Sequence, residues 1–170
     1  MIALAVITAA LAAPDDPVRT GAAGLSGGVI AVQSPARHTL APTLGAWLDY
    51  GPGPFGIAGE LGWTRRAKST SLYDFDVHMV RAAALAEWVV GTRPLRFHAG
   101  AGLALSARAG QVGWNGADQG FVVLEPGARV RVALDGPLGR RLAWQWQVGT
   151  TSRGLRAWDY DTSLGLGVRW

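Results

Sequence analysis

The sequence predicts an all-β fold, an eight-stranded antiparallel up-and-down transmembrane β-barrel. Three observations predict it. Apolar and polar residues alternate with a period of two through most of the 170-residue chain past residue 20, which is the period of a strand. The alternating run 95–105 is one of several that are long, whereas strands of soluble proteins cluster near about five or six residues and membrane-spanning strands need about 9–11. Short and long connections alternate along the chain, as they do in membrane barrels.

The chain begins with a segment that has the features of a secretory signal peptide. The run MIALAVITAALAA carries no charged side chain and is followed by the polar PDDP. Ala10 and Ala12 supply the small residues of an A-x-A cleavage site. We therefore expect a cleaved signal peptide over 1–12, a short segment over 13–21 and a barrel over 22–170. No later stretch approaches 18 uninterrupted apolar residues, so no membrane-spanning helix is predicted.

Eight alternating runs follow the leader. They lie near 22–33, 40–50, 55–64, 74–90, 95–108, 122–134, 141–149 and 158–170. The connections at 51–54, 91–94 and 135–140 are short and built of Gly, Pro and Asp, as tight turns should be. Those at 65–74, 108–120 and 150–159 read as longer polar loops, and 34–37 is short where a long loop is expected. The pattern predicts tight turns at one end of the barrel and long loops at the other.

Two features predict that the apolar face of each strand points outward. The polar face is rich in Gly, Ala and Ser, and the chain has a single lysine, Lys68, so this face suits a crowded interior better than water. The apolar face carries almost no charge, and aromatic residues lie near strand ends, as at a membrane interface. These aromatics are Trp47, Tyr50, Trp63, Trp88, Trp144, Tyr160 and Trp170. A soluble lipocalin-like barrel would place the same two faces the other way round.

Charged residues on the inner face form the most unusual feature. The predicted interior polar network consists of Glu60, Arg81, Glu87, Arg96, His98, Arg108, Glu125, Arg129, Arg131 and Arg169. Buried charges must pair or contact water. One interpretation is a plugged barrel braced by Arg–carboxylate pairs. The other is a narrow, anion-leaning pore, because the inner arginines outnumber the inner acids.

The chain resembles the small eight-stranded outer-membrane β-barrels of Gram-negative bacteria, the OmpA/OmpX-like class. The leader, the eight alternating strands and the terminal SLGLGVRW carry the resemblance. It implies residence in the outer membrane, contact with outer-membrane lipid and lipopolysaccharide, and a monomer. In that class the last strand is recognised by the barrel-assembly machinery, after passage on periplasmic chaperones. The matching signal residues are Tyr160, Leu164, Leu166, Val168 and Trp170.

Composition excludes several other functions. The absence of cysteine rules out disulfides, zinc-thiolate sites and thiol nucleophiles. A net charge of +4 comes from scattered arginines without a basic stripe, which argues against a nucleic-acid partner. The spacing of His38, His78 and His98 suits no metal site, so no metal or other cofactor is expected.

The sequence therefore predicts a non-enzymatic outer-membrane protein with a structural or surface-interaction role. A secreted carrier of an apolar ligand is the alternative. An enzyme acting on lipid A comes third, because no His-x-Ser pair is present. The cations of the predicted loops could bind lipopolysaccharide phosphates, or they could simply be solvated. They are Arg65, Arg66, Lys68, Arg153 and Arg156.

Overall fold

The computed structural model describes residues 21–34, 37–51, 53–69, 73–91, 94–114, 117–154 and 157–170. The predicted signal peptide and nearly all of the segment after it lie outside these residues. The eight strands are β1 (Gly21–Ser34), β2 (Arg37–Tyr50), β3 (Phe55–Ser69), β4 (Tyr73–Val90), β5 (Arg96–Trp114), β6 (Ala117–Pro137), β7 (Leu142–Arg153) and β8 (Ala157–Arg169). Among the described residues, no helix is long and apolar enough to cross a membrane.

The strands close into one antiparallel barrel in chain order. Each strand pairs with the next, and β1 closes the ring on β8, from Ala22 opposite Arg169 to Ala31 opposite Tyr160. The predicted all-β, eight-stranded, up-and-down barrel is thus confirmed. Closure leaves no sheet edge in the spanning part, so every backbone group there can bond to a neighbouring strand, which a lipid environment requires.

The connections at the predicted long-loop end differ from the expectation. The segments 65–74 and 108–120 continue mostly as strand, up to Ser69 in β3, from Tyr73 in β4, to Trp114 in β5 and from Ala117 in β6. Polar and Gly-rich sequence can form strands above a membrane, because no lipid demands an apolar face there. The short 34–37 link is therefore no exception, since only two or three residues separate the other strand pairs at this end.

These continuations form a sheet that rises above one side of the barrel. β5 and β6 pair out to Trp114 and Ala117, whereas the pairing of β6 with β7 begins only at Arg129 opposite Thr151. Similarly, β3 pairs with β2 as far as Thr64 but with β4 as far as Ser69. The upper parts of β3 to β6 thus make a sheet extension, which we call the crest (residues 65–69, 73–78, 109–114 and 117–124).

The apolar face of the barrel points outward, as predicted. Large apolar side chains along every strand are exposed, among them Leu25 at 73%, Leu40 at 72% and Leu103 at 76%. Soluble proteins rarely expose contiguous apolar patches beyond a few hundred Å². An apolar band around the whole circumference is the surface of a membrane-spanning barrel.

Aromatic residues gather where the short turns are. Tyr50, Phe55, Trp88 and Trp170 lie within three residues of strand ends on this side and are between 42% and 72% exposed. Such rings mark the height of the lipid headgroups. Trp47 does not belong with them, although its place near a strand end predicts an interfacial position. Its side chain is buried inside the barrel at 3% exposure.

Inward glycines explain the position of Trp47. A Cβ atom added at Gly24, Gly165 or Gly167 would meet the Trp47 indole at 2.7–2.8 Å. Those three glycines therefore leave the space that the indole fills. The two in β8 belong to the terminal SLGLGVRW, where the glycines alternate with outward leucines.

Candidate functional site

The barrel interior is filled by a network of ion pairs. Three arginines on the inner face of β4 and β6 are its centre: Arg81, Arg129 and Arg131, each no more than 8% exposed. They are inward because the period-two alternation of these strands places them opposite the lipid-facing valines and alanines. The alternation thus positions cations from two strands at the middle of the barrel.

Arg131 joins three carboxylates. Its guanidinium donates to Asp49 Oδ1 at 2.7 Å, to Glu60 Oε1 at 3.1 Å and to Glu87 Oε1. It also donates to the side-chain oxygen of Gln147 at 3.2 Å. Four strands, β2, β3, β4 and β7, are therefore linked through one side chain carried by β6. Such charge-assisted bonds are the strong ones in a low-dielectric interior.

Arg129 and Arg81 share the carboxylate of Asp161. Arg129 binds Asp161 through both terminal nitrogens, with Nη2 at 3.0 Å from Oδ1, and its Nε donates to Glu60 Oε2 at 2.7 Å. Arg81 donates to Asp161 Oδ2 at 2.9 Å. A Cβ at Gly149 would lie 2.6 Å from the Arg129 guanidinium, so that glycine provides the space for this pair.

His98 extends the network toward the short-turn end. It is fully buried, its Nε2 lies 2.7 Å from Asp135 Oδ1, and its Nδ1 lies 3.5 Å from Glu87 Oε2. Gln145 donates to Asp49 Oδ2 at 2.7 Å. Asp49, Glu87 and His98 offer ligand atoms within 4.8 Å of one another. Because Arg131 already donates to both carboxylates, this cluster is explained by ion pairs.

A separate ion-pair group lies nearer the crest. Arg153 donates from Nε to Asp159 Oδ2 at 2.6 Å and from Nη2 to the Gln33 carbonyl at 2.6 Å. Arg108 lies 2.8 Å from Glu125 Oε2, and Arg153 lies 3.7 Å from the same atom. Beside this group, Ile30, Val32, Ala41 and Met79 pack into a small apolar cluster. The barrel is thus filled by side chains at this height too.

The structure brings together most of the predicted network. Glu60, Arg81, Glu87, His98, Arg129 and Arg131 share the central cluster, and Arg108 pairs with Glu125 above it. Arg169 does not join them, because its guanidinium donates to the Gly139 carbonyl in the turn before β7. Arg96 stands at the start of β5, near the same end.

Sequence reasoning missed four interior carboxylates and misplaced one cation. The carboxylates are Asp49, Asp135, Asp159 and Asp161. Alternation already placed three of them on the polar face, while Asp135 was hidden because DGPLGR reads as a turn. Arg153 was expected on a loop as a lipopolysaccharide contact, but its side chain is 5% exposed and pairs inside the barrel.

These additions remove the basis for an anion-leaning interior. Among the described residues, the buried charges comprise six carboxylates and four guanidiniums, namely Asp49, Glu60, Glu87, Asp135, Asp159, Asp161, Arg81, Arg129, Arg131 and Arg153. The expectation that inner arginines outnumber inner acids is therefore wrong for the buried core.

The other predicted loop cations have different surroundings. Arg65 is exposed and donates to Asp76 Oδ2 at 2.7 Å, and this hydrogen bond is the main reason that the pKa of Asp76 is lowered. Lys68 is exposed above the ring of Tyr73. Arg66 points to the inner side of the crest, over the ring of Phe75. Arg156 lies outside the described residues.

The predicted assembly signal lies on the lipid face of β8. Tyr160, Leu164, Leu166, Val168 and Trp170 are all between 50% and 63% exposed. The residues that the resemblance implies as the assembly signal therefore form one outward-facing row. Recognition of this row during assembly stays a prediction.

Solved structures similar to this chain are outer-membrane barrels. Neither a family model nor a curated protein matches the sequence. The Neisserial surface protein A (NspA) aligns with a TM-score of 0.67 and 15% identity, covering 91% of this chain and 100% of that one. Ail, the attachment invasion locus protein of Yersinia pestis, aligns at 0.66 and 14%, covering 89% and 99%.

The N-terminal β-barrel domain of Pseudomonas aeruginosa OprF aligns at 0.62 and 16% identity, covering 90% of this chain and 99% of that domain. At such identities these likenesses establish the fold: the chain is built like the small eight-stranded outer-membrane barrels. They agree with the outward apolar face described above and support the outer-membrane localisation predicted from the sequence.

Proposed function

We propose that this chain, which has the fold of the small eight-stranded outer-membrane barrels, is an integral outer-membrane protein with a closed interior and a non-enzymatic role. The role is structural support of the membrane and interaction at the surface through the crest. The observation that carries this proposal is the packing of the interior by ion pairs from five or more strands around Arg129 and Arg131. Eight strands leave an interior just wide enough for side chains.

The cavities beside the network support a closed barrel. One, lined by Glu60, Arg81 and Asp161 among others, measures about 20 Å³, and one beside Asp49 and Glu87 about 10 Å³. Roughly 10–15 Å³ is needed to hold a single water molecule. By that figure, each of these two cavities holds at most one or two water molecules.

The His98–Asp135 pair supports a non-enzymatic role. A carboxylate that orients a histidine is part of a hydrolase site, yet His98 is fully buried within the barrel. Lipid acyl chains reach only the outside of the barrel. This pair therefore has no access to lipid and acts as a brace between β5 and β6.

Conductance tests the closed interior. The refolded chain in planar lipid bilayers should give no steady single-channel current in 1 M KCl, because the arginines and carboxylates block the lumen. Incorporation is verified on the same sample by cold and heated SDS gels, since a closed barrel resists SDS until it is heated. Regular current steps from verified barrels would contradict the closed interior and restore the pore interpretation, whatever their ion selectivity.

We further propose that the exposed cations of the crest contact lipopolysaccharide phosphates. Of the predicted set, Arg65 and Lys68 remain candidates because both are exposed. Exposed ion pairs are worth about 0.2–1 kcal/mol each. We therefore expect the double variant R65Q/K68Q, in lipid nanodiscs, to bind fluorescent lipopolysaccharide about two- to thirtyfold more weakly. The matched variant R140Q/R141Q, at the short-turn end, should bind as the parent chain does. Equal binding by both variants would refute the contact.

A further inference from the structure

A cavity of about 260 Å³ lies at the mouth of the barrel, on the inner side of the crest. Met79 on β4 lines it and is buried inside the barrel. Because alternate residues of a strand share one face, Val77, Phe75 and Tyr73 continue the inner face as β4 rises into the crest, and all three line the cavity. We call this space the mouth cavity.

The mouth cavity has a closed floor and aromatic walls. Its floor includes Val32, Thr64 and Met79, each no more than 6% exposed. On one wall the rings of Tyr73 and Phe75 are parallel, with centroids 6.4 Å apart. A concave site with apolar and aromatic lining and few polar groups is typical of sites for small organic molecules.

The two arginines of the lining are already engaged within the protein. Arg66 lies over the ring of Phe75, with its guanidinium carbon 5.8 Å from the ring centroid. Arg108 lies 2.8 Å from the carboxylate of Glu125. One cation therefore supports an aromatic wall and the other belongs to an ion pair. A ligand without charge suits this lining best, because it needs no counter-ion from the cavity.

The size of the mouth cavity indicates a ligand of about two fused rings. At about 30 Å³ per water molecule it has room for roughly eight waters, and each buried water needs two to four polar partners. The aromatic and aliphatic walls supply few, so displacement of this water by apolar surface is favourable. An apolar cavity of about 150 Å³ is already large enough to bind benzene.

We propose that the mouth cavity binds a small neutral aromatic molecule, with its rings beside Phe75, Val112 and Phe121 and above Met79. The cavity lies on the inner face of the crest, which meets no lipid, so the ligand arrives from solution. This site is independent of the lipopolysaccharide contact proposed above, since Arg65 and Lys68 are not among its lining residues. It gives the crest a selectivity for ring shape that exposed cations alone do not provide.

The test uses 2-naphthol as the probe and the full barrel in lipid nanodiscs at pH 7. The probe is uncharged there, because phenols ionise near about pH 10. Binding is measured by equilibrium dialysis, and the signal of protein-free nanodiscs is subtracted to remove partition into lipid. We expect saturable binding of 2-naphthol. The anion 2-naphthoate should bind at least threefold more weakly, because its carboxylate loses hydration and finds no unengaged cation.

Two pairs of variants locate the site. V112W, which fills the cavity, should weaken binding of 2-naphthol at least tenfold, and F121A, which removes part of a wall, at least threefold. Gln111 and Val122 are the neighbours of Val112 and Phe121 on the opposite face of the same strands, so Q111W and V122A should bind as the parent chain does. Cold SDS gels verify that each variant is folded, and F121A keeps the test decisive if V112W does not fold.

Three results would overturn the proposal. The first is a parent chain that binds 2-naphthol no more than protein-free nanodiscs do. The second is tighter binding of 2-naphthoate than of 2-naphthol, which would mean that the cavity selects a charge. The third is an equal loss of binding in the inner variant and its outer control, which would place the probe elsewhere on the barrel.

Discussion

Replacing Arg131 with methionine should lower the free energy of unfolding by about 3–5 kcal/mol. The substitution removes the one guanidinium that Asp49, Glu60 and Glu87 share and leaves apolar volume in its place. Removing one partner of a buried ion pair is costly because the remaining charge is neither solvated nor compensated. The change is measured by urea unfolding of the barrel in lipid vesicles, followed by tryptophan fluorescence.

Three further variants separate charge loss from other effects. R65M removes an exposed arginine and should cost less than about 1 kcal/mol. R131M/E87Q, which also neutralises one stranded carboxylate, should recover part of the loss. R131K keeps one charge but cannot make the same set of bonds, so it should be intermediate and should fold if R131M does not. A cost below about 1 kcal/mol for R131M would mean that water reaches these carboxylates, which contradicts the closed interior.

The period of two was sufficient to predict the strands and their two faces. It placed Leu103 and Leu164 outward and Glu60, Arg129 and Arg131 inward. The outer face of a membrane barrel contacts lipid and the inner face contacts polar side chains, so apolar and polar residues alternate along each strand. Alternation is a local property, so the inward residues of each strand can be identified without knowing which strands pair. For this reason most members of the central network could be predicted, although they lie far apart in the chain.

What could not be predicted depends on contacts across the barrel. Trp47 points inward because Gly24, Gly165 and Gly167 leave space for it, and two of these glycines are more than a hundred residues away. Arg153 is buried because Asp159 and the Gln33 carbonyl receive its hydrogen bonds. Alternation places both residues on the polar face, Trp47 with Asp49 and Arg153 with Gln147. This signal was outweighed because a tryptophan near a strand end suggests an interface and an arginine near a loop suggests solvent.

The crest was missed for a different reason. Residues 65–74 and 108–120 are polar and rich in glycine. Outside a membrane both faces of a strand can meet water, so apolar and polar residues need not alternate. Cross-strand pairing still extends there, for example between Arg65 and His78 and between Val112 and Gln119. The crest therefore has no alternation of apolar and polar residues that would predict it.

Replacing Leu103 with arginine should lower the free energy of unfolding in lipid by about 2–4 kcal/mol, the cost of an arginine on the lipid face near the bilayer midplane. Leu103 is 76% exposed and lies six residues beyond Phe97 in β5, near the middle of the spanning part. The matched variant L138R changes an equally apolar residue, 58% exposed, in the turn between β6 and β7, where the cost should be about 0–1 kcal/mol. Urea unfolding in vesicles compares the two variants.

In a soluble barrel an arginine at either exposed position would be nearly neutral, so equal stability of L103R and L138R, with folding in plain buffer, would overturn membrane insertion. A selective loss in L103R would locate the bilayer on the face that the alternation predicts.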